Sequence, residues 1–273
     1  MLNLKKNEEQ LTNEVMGKIS LSKDKENLEK HVVSLSKCVI DLSKKSNVDL
    51  GDVKAKVVVA LDYSGSMRSL YKNGTVQTTI SRLVPLGLTF DDNVSIDMYL
   101  FQNSYRKMED ITLNNYEKYV EKVINRSGYD MGGTEYAPVL EAIVLPNANK
   151  NKSENKTGLL SKLFGSKNKS TNIDTDTNSK EITFVLFITD GANSDEGRTD
   201  KIIRESSDPK HKTFIQFVGI GNEKFSYLRK LDDLSGRSVD NTGFSKMNDL
   251  QKASDEELYN NVLEQFAEWL KVV

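Results

Sequence analysis

From residue 51 onward the chain alternates apolar runs with segments of helical periodicity. Val57 to Leu61, Ile182 to Thr189 and Thr213 to Ile220 are rich in β-branched and aromatic residues with almost no polar break. That is the composition of strands covered on both faces of a parallel sheet. Ser95 to Phe101 and Tyr105 to Ile111 read instead as a hairpin, because Ser95, Asp97 and Tyr99 alternate with Ile96, Met98 and Leu100. Such alternation predicts an antiparallel pair at the sheet edge. Helices are predicted over 76–90, 115–125, 136–144, 195–205, 223–234 and 249–271, with a polar turn at 71–74 and a short strand at 237–240. In the first of these Ile80, Leu83, Val84, Gly87 and Leu88 form an apolar face, and Pro85 should kink it. In the last, Leu258, Val262, Leu263, Phe266, Trp269 and Leu270 should face inward. Strands alternating with helices imply parallel pairing through right-handed crossovers. The predicted fold class is α/β: a three-layer Rossmann-like sandwich whose central sheet is mostly parallel, with an antiparallel edge strand.

Two segments break this rhythm. Residues 1–50 form an N-terminal extension rich in Lys and Glu, in which Leu28, His31, Val32, Leu35, Cys38, Val39 and Leu42 recur at helical intervals over 23–46. Such spacing predicts an amphipathic helix packed on the α/β domain at 51–273, and docking of a partner is the alternative. Residues 147–180 turn to Lys, Asn, Ser and Thr, interrupted only by Leu159 to Phe164. So polar a stretch buries too little surface to offset its ordering entropy, which predicts a disordered insertion. Its Asp174 to Asn178 imitates the start of an EF-hand loop, but Ser179 and Val185 stand where the glycine and closing glutamate belong.

The strongest chemical signal lies where the first apolar run stops. Val57-Val58-Val59-Ala60-Leu61 passes directly into Asp62-Tyr63-Ser64-Gly65-Ser66, one carboxylate and two hydroxyls at alternate positions. Oxygen ligands at the carboxyl end of a buried strand sit where open α/β sheets bind their ligands. Mg²⁺ takes near-octahedral oxygen ligation, keeps several waters and uses only one or two carboxylates. Asp62, Ser64 and Ser66 supply part of such a shell. Gly132-Gly133-Thr134 and the strand end Thr189-Asp190-Gly191 each place a further oxygen beside glycine. Gly65, Gly133 and Gly191 would permit tight turns and close backbone approach.

This pattern resembles the von Willebrand factor A (vWA) domain with its metal-ion-dependent adhesion site. The likeness extends to the TerF-like vWA proteins of bacterial tellurium-resistance and stress gene clusters. It is carried by Gly132-Gly133-Thr134-Glu135-Tyr136-Ala137-Pro138, Gly219-Ile220-Gly221, Leu231 to Arg237, Val239 to Thr242 and the ending Glu257 to Leu270. The resemblance implies metal ligands Asp62, Ser64, Ser66, Thr134 and Asp190, holding Mg²⁺ with Mn²⁺ or Ca²⁺ as alternatives. It further implies a role in a tellurite or stress-response complex beside TerD-like or other proteins of the same clusters. Gly17 to Lys23 is itself similar to the opening strand of TerD-type domains, though too short to be one.

Composition narrows the function classes. With a net charge of −2, the 273-residue chain has no global field to attract nucleic acid or anionic lipid. A single cysteine, Cys38, excludes an intrachain disulfide or a Cys-based zinc site. No run approaches the length of a membrane span, and Met1 to Lys6 lacks a signal-peptide core, which together predict a cytoplasmic protein. His31 and His211 accompany no glycine-flanked nucleophilic serine, Gly219-Ile220-Gly221 lacks the third glycine of a dinucleotide site, and no Walker A sequence occurs. Three readings follow. The first is a non-enzymatic module whose hydroxyl-held cation recruits a carboxylate from a partner protein. The second is a Mg²⁺-dependent phosphoryl-transfer or hydrolytic enzyme with Glu135 or Asp195 as base. The third is a scaffold acting through its N-terminal helix and insertion. The intact set of oxygens favours the first.

Overall fold

The computed structural model describes residues 4–19, 25–145, 181–249 and 251–273. Its centre is a six-stranded sheet in the order β3-β2-β1-β4-β5-β6, built from β1 (Ala55–Asp62), β2 (Asp97–Phe101), β3 (Tyr105–Lys107), β4 (Ile182–Thr189), β5 (Thr213–Ile220) and β6 (Thr242–Met247). All neighbours are parallel except β2 and β3, which form the antiparallel edge hairpin. Strand order reverses between β1 and β4, so the end of that strand pair is the topological switch point of the sheet.

The strands are apolar on both faces because both faces are covered. Val57, Val59 and Leu61 of β1 and Phe184, Leu186 and Ile188 of β4 join one core with α1 (Glu8–Gly17), α2 (Lys25–Ser46), α4 (Thr75–Phe90) and α8 (Asp255–Trp269). Val58, Ala60, Val185 and Phe187 join the other with α5 (Ala137–Val144), α6 (Glu196–Ser206) and α7 (Ser226–Asp232). A short helix, α3 (Arg68–Lys72), follows the loop after β1. The architecture is the three-layer sandwich expected, with a helical N-terminus.

That N-terminus belongs to the first core. Leu28, Val32, Leu35, Cys38, Val39 and Leu42 of α2 are buried against it. Asp255 at the start of α8 receives Arg82 Nε of α4 at 2.6 Å and lies 2.6 Å from His31 Nδ1 of α2. One carboxylate thereby ties three helices, and Arg82 is almost fully buried. Periodicity overlooks α1, although its capping box is written in the sequence: Asn7 Oδ1 accepts from Gln10 N and Gln10 Oε1 from Asn7 N, each at 2.9 Å.

Several boundaries depart from expectation for identifiable reasons. The segment 115–125 is a 3₁₀ turn (Tyr116–Lys118) followed by a π turn (Val120–Ile124), because Gln77 of α4 donates to Tyr116 O at 2.6 Å and accepts from Val120 N at 3.0 Å. Residues 237–240 are loop, since Arg237 donates to the carbonyls of Leu234 and Asp232 at 2.7 and 2.8 Å; the strand begins at Thr242. Phe225 sits in the left-handed region at φ 51°, so α7 cannot reach back to residue 223. Tyr71 belongs to α3 and not to a polar turn, and α4 runs through Pro85 as one helix. The last helix starts at Asp255, behind the N-cap Ser254 whose hydroxyl accepts from Glu257 N at 3.0 Å, and not at residue 249. Gly17 ends α1, so the strand resemblance at 17–23 fails at its first residue, while 20–24 and the insertion at 147–180 lie outside the described residues.

Removing α1 and α2 uncovers the apolar surfaces of α4 and α8 and leaves Asp255 without His31. A chain beginning at residue 54 is therefore expected to lose its cooperative thermal transition and bind a hydrophobic dye. An unchanged melting temperature would show that the two helices are dispensable to the core.

Candidate metal centre

Asp62 is the last residue of β1, delivered by the sheet to its switch point with 0% of its surface exposed. Its carboxylate is held from two directions: Ser64 N donates to Oδ1 at 2.7 Å and Thr189 Oγ1 to Oδ2 at 2.6 Å. The first bond is an Asx-type turn that folds the loop back over the strand end. Beneath it, Tyr71 of α3 donates its hydroxyl to Asp62 O at 2.9 Å. From this anchor the oxygens run on in sequence. Ser64 Oγ lies 3.0 Å from Ser66 Oγ, and Ser66 Oγ donates to Asp190 Oδ1 at 2.8 Å.

Thr134 arrives differently. Its loop is joined to the first by a bridge between Ser64 and Gly132 and by Gly65 N donating to Gly132 O at 3.0 Å. The turn of the β2–β3 hairpin supports it from outside, with Asn103 Oδ1 accepting from Gly133 N at 2.6 Å and Gln102 O from Glu135 N at 3.0 Å. From the β4 side Ser194 N donates to Thr134 O at 3.0 Å. The Thr134 hydroxyl makes no hydrogen bond to a described residue. The structure thus brings Asp62, Ser64, Ser66 and Asp190 into one hydrogen-bonded chain and sets Thr134 beside it through backbone alone.

Close approach demands glycine in one of the three loops. A Cβ at Gly133 would meet Asn103 Nδ2 at 2.9 Å and Oδ1 at 3.0 Å, and that amide is already engaged by Gly133 N. The expectation does not hold for Gly65 and Gly191, where a Cβ has room and φ is ordinary.

Electrostatics fit a cation. Burial pushes the Asp62 carboxyl up to about 6, against the pull of its bonds from Ser64 and Thr189, and the Asp190 charge adds to the rise. Burial also raises Asp190, against the hydrogen bond from Ser66, with Glu223 nearby adding to it. No group of three or more His, Cys, Asp and Glu side chains able to hold a metal occurs among the described residues. An ion here must therefore draw much of its shell from hydroxyls and water, the regime of a hard divalent cation with one or two carboxylates. Asp62, Ser64, Ser66, Thr134 and Asp190 fit that donor set. A groove of about 430 Å³ opens beside Ser66 and Asp190, walled by Glu223, Phe225 and Tyr227.

Sequence reasoning missed the residues that hold this arrangement. Thr189 reads as one more strand residue, yet it clamps Asp62. Tyr136 donates to Gly191 O at 2.6 Å and packs its ring on Phe187 at a centroid distance of 4.7 Å. Asp195 accepts from the amides of Tyr136 and Ala137 at 3.0 and 2.8 Å. None has a local signature, since each partner lies more than 50 residues away or in another loop.

A mostly parallel sheet with helices on both faces and an oxygen-rich loop cluster at its switch point defines a vWA-like domain. The family model for the vWA domain found at the TerF C terminus matches residues 54–273, and the chain belongs to this TerF-like vWA family. An uncharacterized protein of Bacillus subtilis (strain 168), YcbR, is 33% identical over 240 residues, covering 85% of this chain and 86% of that protein. Among solved structures, a mutant of the PilB minor pilin from Streptococcus sanguinis aligns with a TM-score of 0.47 at 12% identity, over 82% of this chain and 64% of that one. Proximal thread matrix protein 1 of the mussel byssus aligns at 0.45 and 14% identity over 79% of this chain, which spans 49% of the mussel chain. The manganese-loaded TRAP protein of Plasmodium vivax aligns at 0.42 and 14% identity, over 71% of this chain and 68% of that one.

The raised Asp62 value sets a pH dependence. Ionising Asp62 costs the folded state more than the unfolded one, whose carboxyl titrates near the ordinary value of about 4. Stability is therefore fully present below that value, falls as pH rises toward about 6, and carries the whole penalty at neutral pH. In EDTA, lowering the pH from 7 to 5 should raise the unfolding free energy of the wild type by about 1 kcal/mol more than that of Asp62→Asn. Denaturant titrations check this, and equal responses of the two proteins would contradict it.

Proposed function

We propose that this protein is a non-enzymatic, divalent-cation-dependent protein-binding module. The observation that carries the reading is the run of oxygens from Asp62 through Ser64 and Ser66 to Asp190, only two of them carboxylates, at the switch point of the sheet. In this reading Ser64, Ser66 and Thr134 offer hydroxyls and Asp62 and Asp190 act directly or through water. The ion is Mg²⁺, with Mn²⁺ or Ca²⁺ as substitutes. Bound largely by neutral oxygens, it keeps net positive charge and an open position for an acidic side chain of another protein. A hard cation takes carboxylate oxygen readily.

One further feature supports binding over catalysis. Asp195, one of the two candidate bases, has both carboxylate oxygens engaged by backbone amides. Family membership makes a tellurite or stress-response complex the setting we favour, with TerD-like or other proteins of those gene clusters as candidate partners in the cytoplasm. A nucleic-acid partner is not part of the reading, given the net charge of −2. Nor is membrane insertion: no described helix is long and apolar enough to cross a bilayer.

The test is capture of partners from native extract by wild type, Asp62→Ala and Thr134→Ala, each in Mg²⁺ and in EDTA. A partner held by wild type in Mg²⁺, released by EDTA and captured at least tenfold less by either variant is the expected result. Equal capture in all conditions would remove the metal-dependent mechanism.

A further inference from the structure

Thr134 is the one candidate ligand that the other four do not touch through its side chain, so something else must fix its position. Two sets of bonds hold its backbone. On one side lie the bridge from Gly132 to Ser64 and the bond from Gly133 N to Asn103 Oδ1 at 2.6 Å. On the other lies the segment just after Asp190. Ser194 donates to Thr134 O through its amide at 3.0 Å and through its hydroxyl at 3.3 Å. Asp195 Oδ1 accepts from Tyr136 N at 3.0 Å, Asp195 Oδ2 accepts from Ala137 N at 2.8 Å, and Asn193 Nδ2 secures Oδ1 at 2.7 Å.

The Asp195 contact is unusual in its direction. Asp195 occupies the N-cap position of α6 but makes no side-chain cap to that helix's amides. It caps the start of α5 instead, where Tyr136, the residue at the N-cap position, offers no capping bond of its own. An aspartate at an N-cap normally satisfies the amides of its own helix. Here its two oxygens are directed across the site to a loop almost 60 residues earlier in the chain. The donors it satisfies follow Thr134 by two and three residues.

We propose that Asp195 is a positioning residue: it locks the Thr134 loop to the Asp190 loop so that the Thr134 hydroxyl meets the same cation as Ser64, Ser66 and Asp190. This rests on the cation-site reading above, and it assigns to Asp195 a role in affinity exerted through Thr134. Asparagine cannot replace it. An amide offers one acceptor oxygen to two backbone donors and turns its own N–H group toward the other.

A double-mutant cycle on the full chain, read as the Mn²⁺ dissociation constant by water-proton relaxation, tests it. The variants are Thr134→Ala, Asp195→Asn and the two combined, each with a thermal melt to verify folding. The expected result is a loss of at least tenfold in Mn²⁺ affinity for each single variant, with the double variant binding no more weakly than Thr134→Ala alone. A role for Asp195 in general stability would instead multiply with the Thr134 effect. Losses that multiply, or wild-type affinity for Asp195→Asn beside a weakened Thr134→Ala, would overturn the proposal while leaving the cation site standing. Wild-type affinity for Thr134→Ala would remove both. Should Asp195→Asn fail to fold, Asp195→Ser, which keeps one small acceptor, carries the same cycle with the same criteria.

Discussion

The Asp62 carboxylate is a charge placed where the sheet is least able to tolerate one. It sits at the end of β1, between β2 and β4, with no surface exposed. A buried carboxylate is costly unless it is hydrogen-bonded and compensated. Ser64 N and Thr189 Oγ1 supply the hydrogen bonds, yet its proton affinity remains raised, so they do not supply the compensation in full. A divalent cation would. The rest of the carboxyl edge follows from that constraint: the loop after Asp62 folds back on it, two serines extend the oxygen chain outward, and Asp190 receives the far end.

The loops of this edge are held by residues outside the candidate ligand set. Tyr71 holds the backbone of Asp62, Tyr136 holds Gly191, Asn103 holds Gly133, and Ser194 with Asp195 holds Thr134 and the start of α5. A binding site gains most when its ligands are fixed before the ion arrives, because less ordering is left for binding to bear. On the opposite side the sheet is backed by α4 and α8, which α1 and α2 cover in turn, and Asp255 fastens three of these helices together. The N-terminal pair is thus part of the support for the layer from which β1 projects Asp62.

What the sequence made legible, and what it hid, divides along a physical line. β4 and β5 were readable to the residue because strands buried on both faces read as near-continuous apolar runs, even with Gln216 buried inside β5. The Asp62, Ser64 and Ser66 spacing was readable because it is local. Elements fixed by one side-chain bond or one backbone conformation that leaves no periodic signal were not. Gln77 converts a periodic helix into two irregular turns, Arg237 delays the last strand to Thr242, and Phe225 shortens α7 by adopting a left-handed backbone. Thr189 and Asp195 belong to the same class, since their roles exist only once β1, β4 and α5 stand side by side. The capping box at Asn7 and Gln10 is the contrary case: its signal is local, but Leu11 and Val15 of α1 are too few to set a helical period.

The most direct measurement is a crystal of the full chain soaked in Mn²⁺ and examined by anomalous diffraction. One anomalous peak within coordinating distance of the Ser64, Ser66 and Thr134 hydroxyls, with Asp62 and Asp190 facing it directly or through water, is the expected result. The absence of a peak there under saturating Mn²⁺, or a peak held by other residues, would contradict the assignment of this loop cluster as a cation site.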